Sequence, residues 1–139
     1  MRRLPLIACF IASACCAPCI AADLDITLTD IRVQTGIIKL AVVDGPDGWD
    51  GKAKPVQATG APPAGETQHF TLKDLAPGRY AVMVTHDENG NGKLDSNALG
   101  MPIEGYGFSN NPRVMRKPTW DETVFEIGAE DVAITVELR

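Results

Sequence analysis

From Leu24 onward the chain alternates: Leu24, Ile26 and Leu28 are apolar, while Asp25, Thr27 and Thr29 between them are polar. A helix brings side chains to one face every three or four residues, so a strict period of two gives a continuous buried face only in an extended strand. Val33 to Val43 is a nearly unbroken apolar run interrupted by Lys39, and its β-branched residues with Gly36 inside predict a central strand carrying a bulge. Phe70-Thr71-Leu72 opens a further strand, Leu75-Ala76-Pro77-Gly78 has the proline-then-glycine order of a type II turn, and Tyr80 to Thr85 returns, which together predict a hairpin. Val124 to Ile127 and Val132 to Leu138 supply two more strands around Gly128 to Asp131, and no stretch carries helical periodicity. The pattern predicts an all-β fold, an antiparallel β-sandwich of immunoglobulin-like or transthyretin-like type with about seven strands.

Ahead of the first strand, Met1-Arg2-Arg3 is cationic and Leu4 to Ala22 is apolar and rich in small residues, the pattern of a secretory signal peptide over residues 1–22. Pro5 and Pro18 interrupt a segment already marginal for a bilayer core, so a membrane span is the lesser reading. All four cysteines, Cys9, Cys15, Cys16 and Cys19, lie in this leader, and its removal leaves a single domain over 23–139 without thiols. The alternative is a lipoprotein anchored at Cys15 within Ala12-Ser13-Ala14-Cys15. Loss of Arg2 and Arg3 takes the formal charge from −5 to about −7, a poor match for polyanions. Nucleic acid is therefore excluded as a partner, and the domain is expected in the periplasm or outside the cell.

Two connections are long, Asp44 to Glu66 and Asp87 to Asp121. Loops of that length inside a compact domain are usually functional. If the strand at Phe70 pairs both with Val33 to Val43 and with Tyr80 to Thr85, both loops meet at one end of the sandwich. Asp44, Asp47, Trp49 and Asp50 would then lie near Asp87 to Asp95.

The second loop opens with Asp87-Glu88-Asn89-Gly90-Asn91-Gly92-Lys93-Leu94-Asp95. Calcium takes six to eight oxygens, best supplied from alternate residues, with one backbone carbonyl and a glycine at the bend. Asp87, Asn89, Asn91, the Lys93 carbonyl and Asp95 fit that spacing, with Gly92 at the bend. The pattern stops at the twelfth position, where the bidentate glutamate of an EF-hand is replaced by Ala98. Five donors with two formal charges make a weak site unless Asp44, Asp47, Asn97 or Glu104 completes it. The competing reading is a metal-free loop in which Asn89-Gly90 and Asn91-Gly92 supply left-handed turns.

Downstream, Gly105-Tyr106-Gly107-Phe108-Ser109-Asn110-Asn111-Pro112 and then Trp120 place aromatics among Gly, Ser and Asn. Tyr106, Phe108, Asn110 and Trp120 form a candidate surface for a protein, peptide or glycan of the cell envelope, and the alternative is that the aromatics, like Trp49, cover the end of the core. His86 shares strand parity with Tyr80, Val82 and Val84, so its ring is expected at the rim of the buried face, as a packing residue rather than a base. Ser96 and Ser109 lack the context of an activated nucleophile. No catalytic constellation is legible. The function expected is an exported binding or structural module stabilised by calcium, with a small metal-assisted hydrolase using His86 and the loop carboxylates as the alternative.

The strings His86 to Asp95 and Gly100 to Asn111, with Phe70-Thr71-Leu72, Leu75 to Val82 and the apolar strand from Gly36 to Val43, resemble a family of exported bacterial proteins. That family is catalogued as domain of unknown function 2141, and the likeness covers essentially the whole domain after the leader. It implies no established activity. The strand-turn-strand pattern before the acidic loop is also similar to transthyretin-like modules and to B-type repeats of bacterial surface proteins, some of which carry calcium in comparable loops. This wider likeness implies a sandwich and favours the ion.

Overall fold

The structure, a computed structural model, describes residues 20–139. The leader expected over residues 1–22, with its four cysteines, lies outside the described residues except for its last three positions. Among the described residues the elements are β1 (Ala22–Thr29), β2 (Ile37–Val43), a single helical turn α1 (Pro46–Trp49), β3 (Gln57–Ala61), β4 (Gln68–Leu75), β5 (Gly78–Asp87), β6 (Tyr106–Phe108), a second turn α2 (Trp120–Thr123), β7 (Phe125–Ile127) and β8 (Val132–Glu137). One sheet has the order β4-β1-β8, and the other runs β3-β2-β5 with β6 and β7 end to end along the far edge of β5. The all-β sandwich expected from the alternation is present. All the ladders are antiparallel except β1 with β8, which runs parallel from Leu24 opposite Val132 to Thr29 opposite Glu137.

The period of two accounts for the core. Leu24, Ile26 and Leu28 of β1 share one buried cluster with Ile38, Leu40 and Val42 of β2, Phe70 and Leu72 of β4, and Val82 and Val84 of β5. Burial of each such side chain is worth roughly 1.5–3 kcal/mol before the entropy of ordering is set against it. Among the described residues no helix is long and apolar enough to cross a membrane.

Three expectations about connectivity are corrected. Phe70 to Thr85 is not a hairpin: β4 pairs with β1 and β5 with β2, so Ala76-Pro77 carries the chain from one sheet to the other. The Tyr80 hydroxyl fixes this crossover by donating to the Ala76 carbonyl at 2.7 Å. Because β4 leaves the second sheet, its place beside β2 is taken by β3, which lies inside the segment expected to be loop. The first long connection ends where the second begins, with Gly65 bonded to Gln34 beside Thr35, which donates to the Glu88 carbonyl, but its opening stretch lies at the opposite end. Ile37 opposes Asp87 while Val43 opposes Ala81, so Asp44, Asp47, Trp49 and Asp50 lie a full strand length, roughly 20 Å, from the Asp/Asn loop.

Gly36 is the third correction, since it precedes β2 and makes no bulge within it. Its φ of +80° is left-handed, and a Cβ there would collide with the Asp87 carbonyl oxygen. Gly36 thus allows the chain entering β2 to cross directly against the end of β5. Gly36→Ala is expected to lower unfolding stability by at least about 1 kcal/mol in urea titration. An unaltered midpoint would contradict the close approach.

Candidate metal loop and adjoining groove

Asp87 is the last residue of β5, and its side chain points outward from the core, where Lys39 of β2 reaches it. The Asp87 carboxylate is only 5% exposed, with its Oδ2 2.9 Å from the Lys39 ammonium and 2.8 Å from the Gly92 amide that donates to it. The Lys39 contact holds the Asp87 carboxyl below the usual carboxylate range; burial opposes this, and the Gly92 and Gly90 amides assist it. Its other oxygen, Oδ1, is buried and has no hydrogen-bond partner among the described residues. A buried carboxylate oxygen left bare is costly, so it marks a place where a cation or water has something to gain.

The remaining loop residues close on Asp95. The Asn89 amide donates to Asp95 Oδ2 at 2.6 Å, and the Asn91 amide donates to both Asp95 oxygens at 2.8 and 3.0 Å. The Asn89 and Asn91 side-chain oxygens accept from the backbone amides two residues on, Asn91 and Lys93, as Asx turns do. Gly90 and Gly92, at φ of +75° and +84°, supply the left-handed bends between them. The loop is thus folded on itself, with Asn89, Asn91 and Asp95 of the positions expected to hold an ion brought together. An ion there requires Asn89 and Asn91 to turn an oxygen inward, and it gives Asp87 Oδ1 a partner. With that rotation the donor set, carboxylates and amide oxygens around a Gly-bent turn, suits a hard cation.

Glu104 does a different job from the one expected of a completing ligand. Its Oε1 accepts from the Glu88 amide at 3.0 Å and the Asn89 amide at 3.4 Å, and its Oε2 accepts from the Asp95 amide at 2.8 Å. One buried carboxylate therefore ties the loop's entrance to its exit. Asn97 is also occupied, since its side-chain oxygen accepts from the Leu99 and Met101 amides at 2.9 and 3.1 Å. Asp44 and Asp47 are at the other end of the sandwich.

His86 is 1% exposed and packs where strand parity placed it. Its Nε2 lies 2.7 Å from the Thr35 carbonyl, which can only accept, so Nε2 carries the proton; Nδ1 is 3.9 Å from Glu88 Oε1. The ring is a bridge between the loop before β2 and the end of β5.

The aromatic string divides by role. Tyr106 and Phe108 are half-buried and meet edge to face at 5.9 Å, and Phe108 lies 5.5 Å from Trp49. Trp49 is buried, with its indole N–H donating to the Pro118 carbonyl at 2.9 Å and the Lys117 ammonium 5.1 Å over its ring. Trp49, Phe108 and half-buried Trp120 form a second cluster with Val43, Ala81 and Met83 on the outer face of the larger sheet. Asn110 is spent on the fold, its amide donating to the Val124 carbonyl at 3.0 Å.

Two neighbours had no legible signal. Between the short ladders of β6 and β7, Val82 of β5 would have both backbone groups unpaired; Ser109 takes them, its Oγ accepting from the Val82 amide at 2.9 Å and its amide donating to the Val82 carbonyl at 3.0 Å. Asn111 accepts from the Glu137 amide at 2.8 Å and donates to the Thr135 carbonyl at 2.9 Å, capping the edge of β8.

Beside the loop runs a groove of about 470 Å³. Its floor is Met83 and Thr85 of β5 with Tyr106 and Phe108 of β6, and its walls are the segment 94–102 and Met115 to Lys117. Segment 94–102 continues directly from the Asp/Asn loop, held by Ile103 donating to the Asp95 carbonyl at 2.9 Å.

A family model described as an uncharacterized protein conserved in bacteria, domain of unknown function 2141, matches residues 26–135. The chain belongs to this family. No curated protein and no solved structure matches it. In this member of the family, the string from Glu104 to Asn111 serves the fold first: Glu104 closes the loop, Ser109 completes the β5 ladder and Asn111 caps β8.

Glu104→Gln replaces one acceptor oxygen by a donor facing amides. It is expected to cost about 1–3 kcal/mol and to abolish hydrogen-exchange protection at the Glu88 and Asp95 amides; retained protection would refute the tie. Glu122 offers a pH test, because Arg116 and then the Thr119 amide hold it at about 2 against a model-compound value of 4.5. With the folded value below the unfolded one, its contribution is complete above about pH 4.5 and fades as pH falls towards about 2. The melting difference between the natural chain and Glu122→Gln should therefore be present near neutrality and shrink across that window. A pH-independent difference would contradict it.

Proposed function

We propose that this protein is an exported β-sandwich binding module whose Asp87–Asp95 loop takes calcium and whose ligand surface is the adjoining groove floored by Tyr106 and Phe108. The observation that carries the ion is the Asp87 carboxylate. One oxygen takes the Gly92 amide across the bend, and the other is buried and bare, beside alternate oxygen-bearing residues converged on Asp95. Low ligand charge and the Lys39 ammonium 2.9 Å from Asp87 both weaken cation binding, which supports an affinity of the weak extracellular class, of order 10⁻⁴ to 10⁻³ M. Such a site is filled where calcium is millimolar, which is consistent with the signal-like leader.

The loop already closes through Glu104, so the ion's role is to fix the Asn89, Asn91 and Asp95 side chains and stiffen the segment 94–102 that walls the groove. The sequence alternative, a hydrolase, draws on His86 with Asp87 or Glu104; the His86 ring and both Glu104 oxygens are engaged in structural hydrogen bonds, and Asp87 is paired with Lys39.

The test is a pair of thermal melts. At calcium about a hundredfold above its dissociation constant, stabilisation of about 2.7 kcal/mol over the chelator sample is expected, and it should vanish in Asp95→Ala. Identical midpoints with calcium and chelator in the natural chain would remove the ion.

A further inference from the structure

The groove beside the loop has an unusual lining for an acidic protein. Met83, Met101 and Met115, all the methionines after the initiator, line it together with Leu99, and among the described residues its charged side chains are Arg116 and Lys117. Among the described residues no carboxylate lines it, although the chain's formal charge is −5. Leu99 and Met115 stand 88% and 85% exposed, at a water-facing cost that a bound apolar group would recover. Asn97 holds the turn that presents Leu99, so this exposure is built into the chain. Unbranched thioether side chains adapt to a flexible apolar guest, and a groove of about 470 Å³ lies in the range of small-molecule sites.

The two cations differ in what they have left to offer. Arg116 is matched by Glu122 through two bonds of 2.8 and 2.9 Å. Lys117 donates to the Trp49 carbonyl at 2.6 Å and lies over its ring, and among the described residues no carboxylate neutralises it. Thioethers also suit soft cations, but two positive side chains in the wall oppose a cationic guest. An apolar channel with an unneutralised ammonium is complementary to a molecule with a hydrocarbon chain and a negative head.

We propose that the groove binds a free single-chain fatty acid, with the chain lying over Met83, Tyr106 and Phe108 against Leu99 and Met115 and the carboxylate at Lys117. This inference rests on the groove being the ligand surface, and it does not require the ion. Segment 94–102 is both the groove's wall and the continuation of the Asp/Asn loop, so calcium that stiffens the loop tightens the ligand, and the ligand tightens calcium by the same factor.

The probe is decanoate, titrated calorimetrically against the whole domain in calcium and in chelator, with decyltrimethylammonium as a guest of equal chain length and opposite charge. Saturable decanoate binding is expected, about tenfold or more tighter than the ammonium analogue. Leu99→Asp, at a site exposed enough to leave the fold intact, should abolish it. Lys117→Gln, which keeps a donor for the Trp49 carbonyl, should weaken decanoate about tenfold and leave the ammonium analogue unchanged or improved. No saturable binding in either buffer, equal affinity for both head groups, or binding indifferent to Leu99→Asp would overturn the proposal. Since the calcium melts are read without decanoate, the ion and the fatty acid can each fail alone.

Discussion

The structure depends on how the backbone of β5 is satisfied on both edges. Its ten residues run the length of the larger sheet, with β2 alongside from Ala81 to Asp87. The opposite edge is shared by β7 at Gly78 to Tyr80 and β6 at Met83 to Thr85, with Ser109 inserted between them at Val82. A buried strand cannot leave amides and carbonyls unpaired without a cost of order 1–3 kcal/mol each, so these short pieces are obligatory. Their placement brings the string from Glu104 to Asn111 across the sheet, and with it the floor of the groove and the anchor of the Asp/Asn loop.

The loop is held by charge on two scales. Glu104 gathers the Glu88 and Asn89 amides at the loop's entrance and the Asp95 amide at its exit, which fixes its outline through the backbone alone. Asp87, paired with Lys39, sets the loop's inner side and keeps one oxygen in reserve. A loop built in this way has its shape before any ion arrives, so an ion changes side-chain order and rigidity more than topology. Under the proposed function, the effect of an ion on the neighbouring surface would pass through segment 94–102, not through the core.

The strands were legible because alternation reports which residues share a face. Leu24, Ile26 and Leu28, and likewise Tyr80, Val82, Val84 and His86, fall on the buried side as their parity requires. Alternation says nothing about partners, and this is why β4 and β5, joined by two residues, read as a hairpin while belonging to different sheets. β3 escaped notice because Gln57 to Ala61 is mostly exposed and carries no apolar alternation; it is a strand only because β2 offers it an edge. The Asp/Asn loop was legible from spacing and glycine. Glu104 was singled out for the right place and the wrong partner, since a carboxylate near a loop reads as a metal ligand until its oxygens are seen to hold amides. Ser109 and Asn111 act through backbone groups of remote strands, a relation that no local pattern encodes.

The parallel ladder of β1 with β8 joins the start of the domain to its end, with Leu24 opposite Val132. During synthesis or translocation from the N-terminus, β1 emerges first and its partner last, and loop-closure entropy must be met before that contact can form. Until then one edge of an apolar strand stays open to other chains. The hazardous interval therefore runs from the emergence of β1 until β8 docks and closes the sheet.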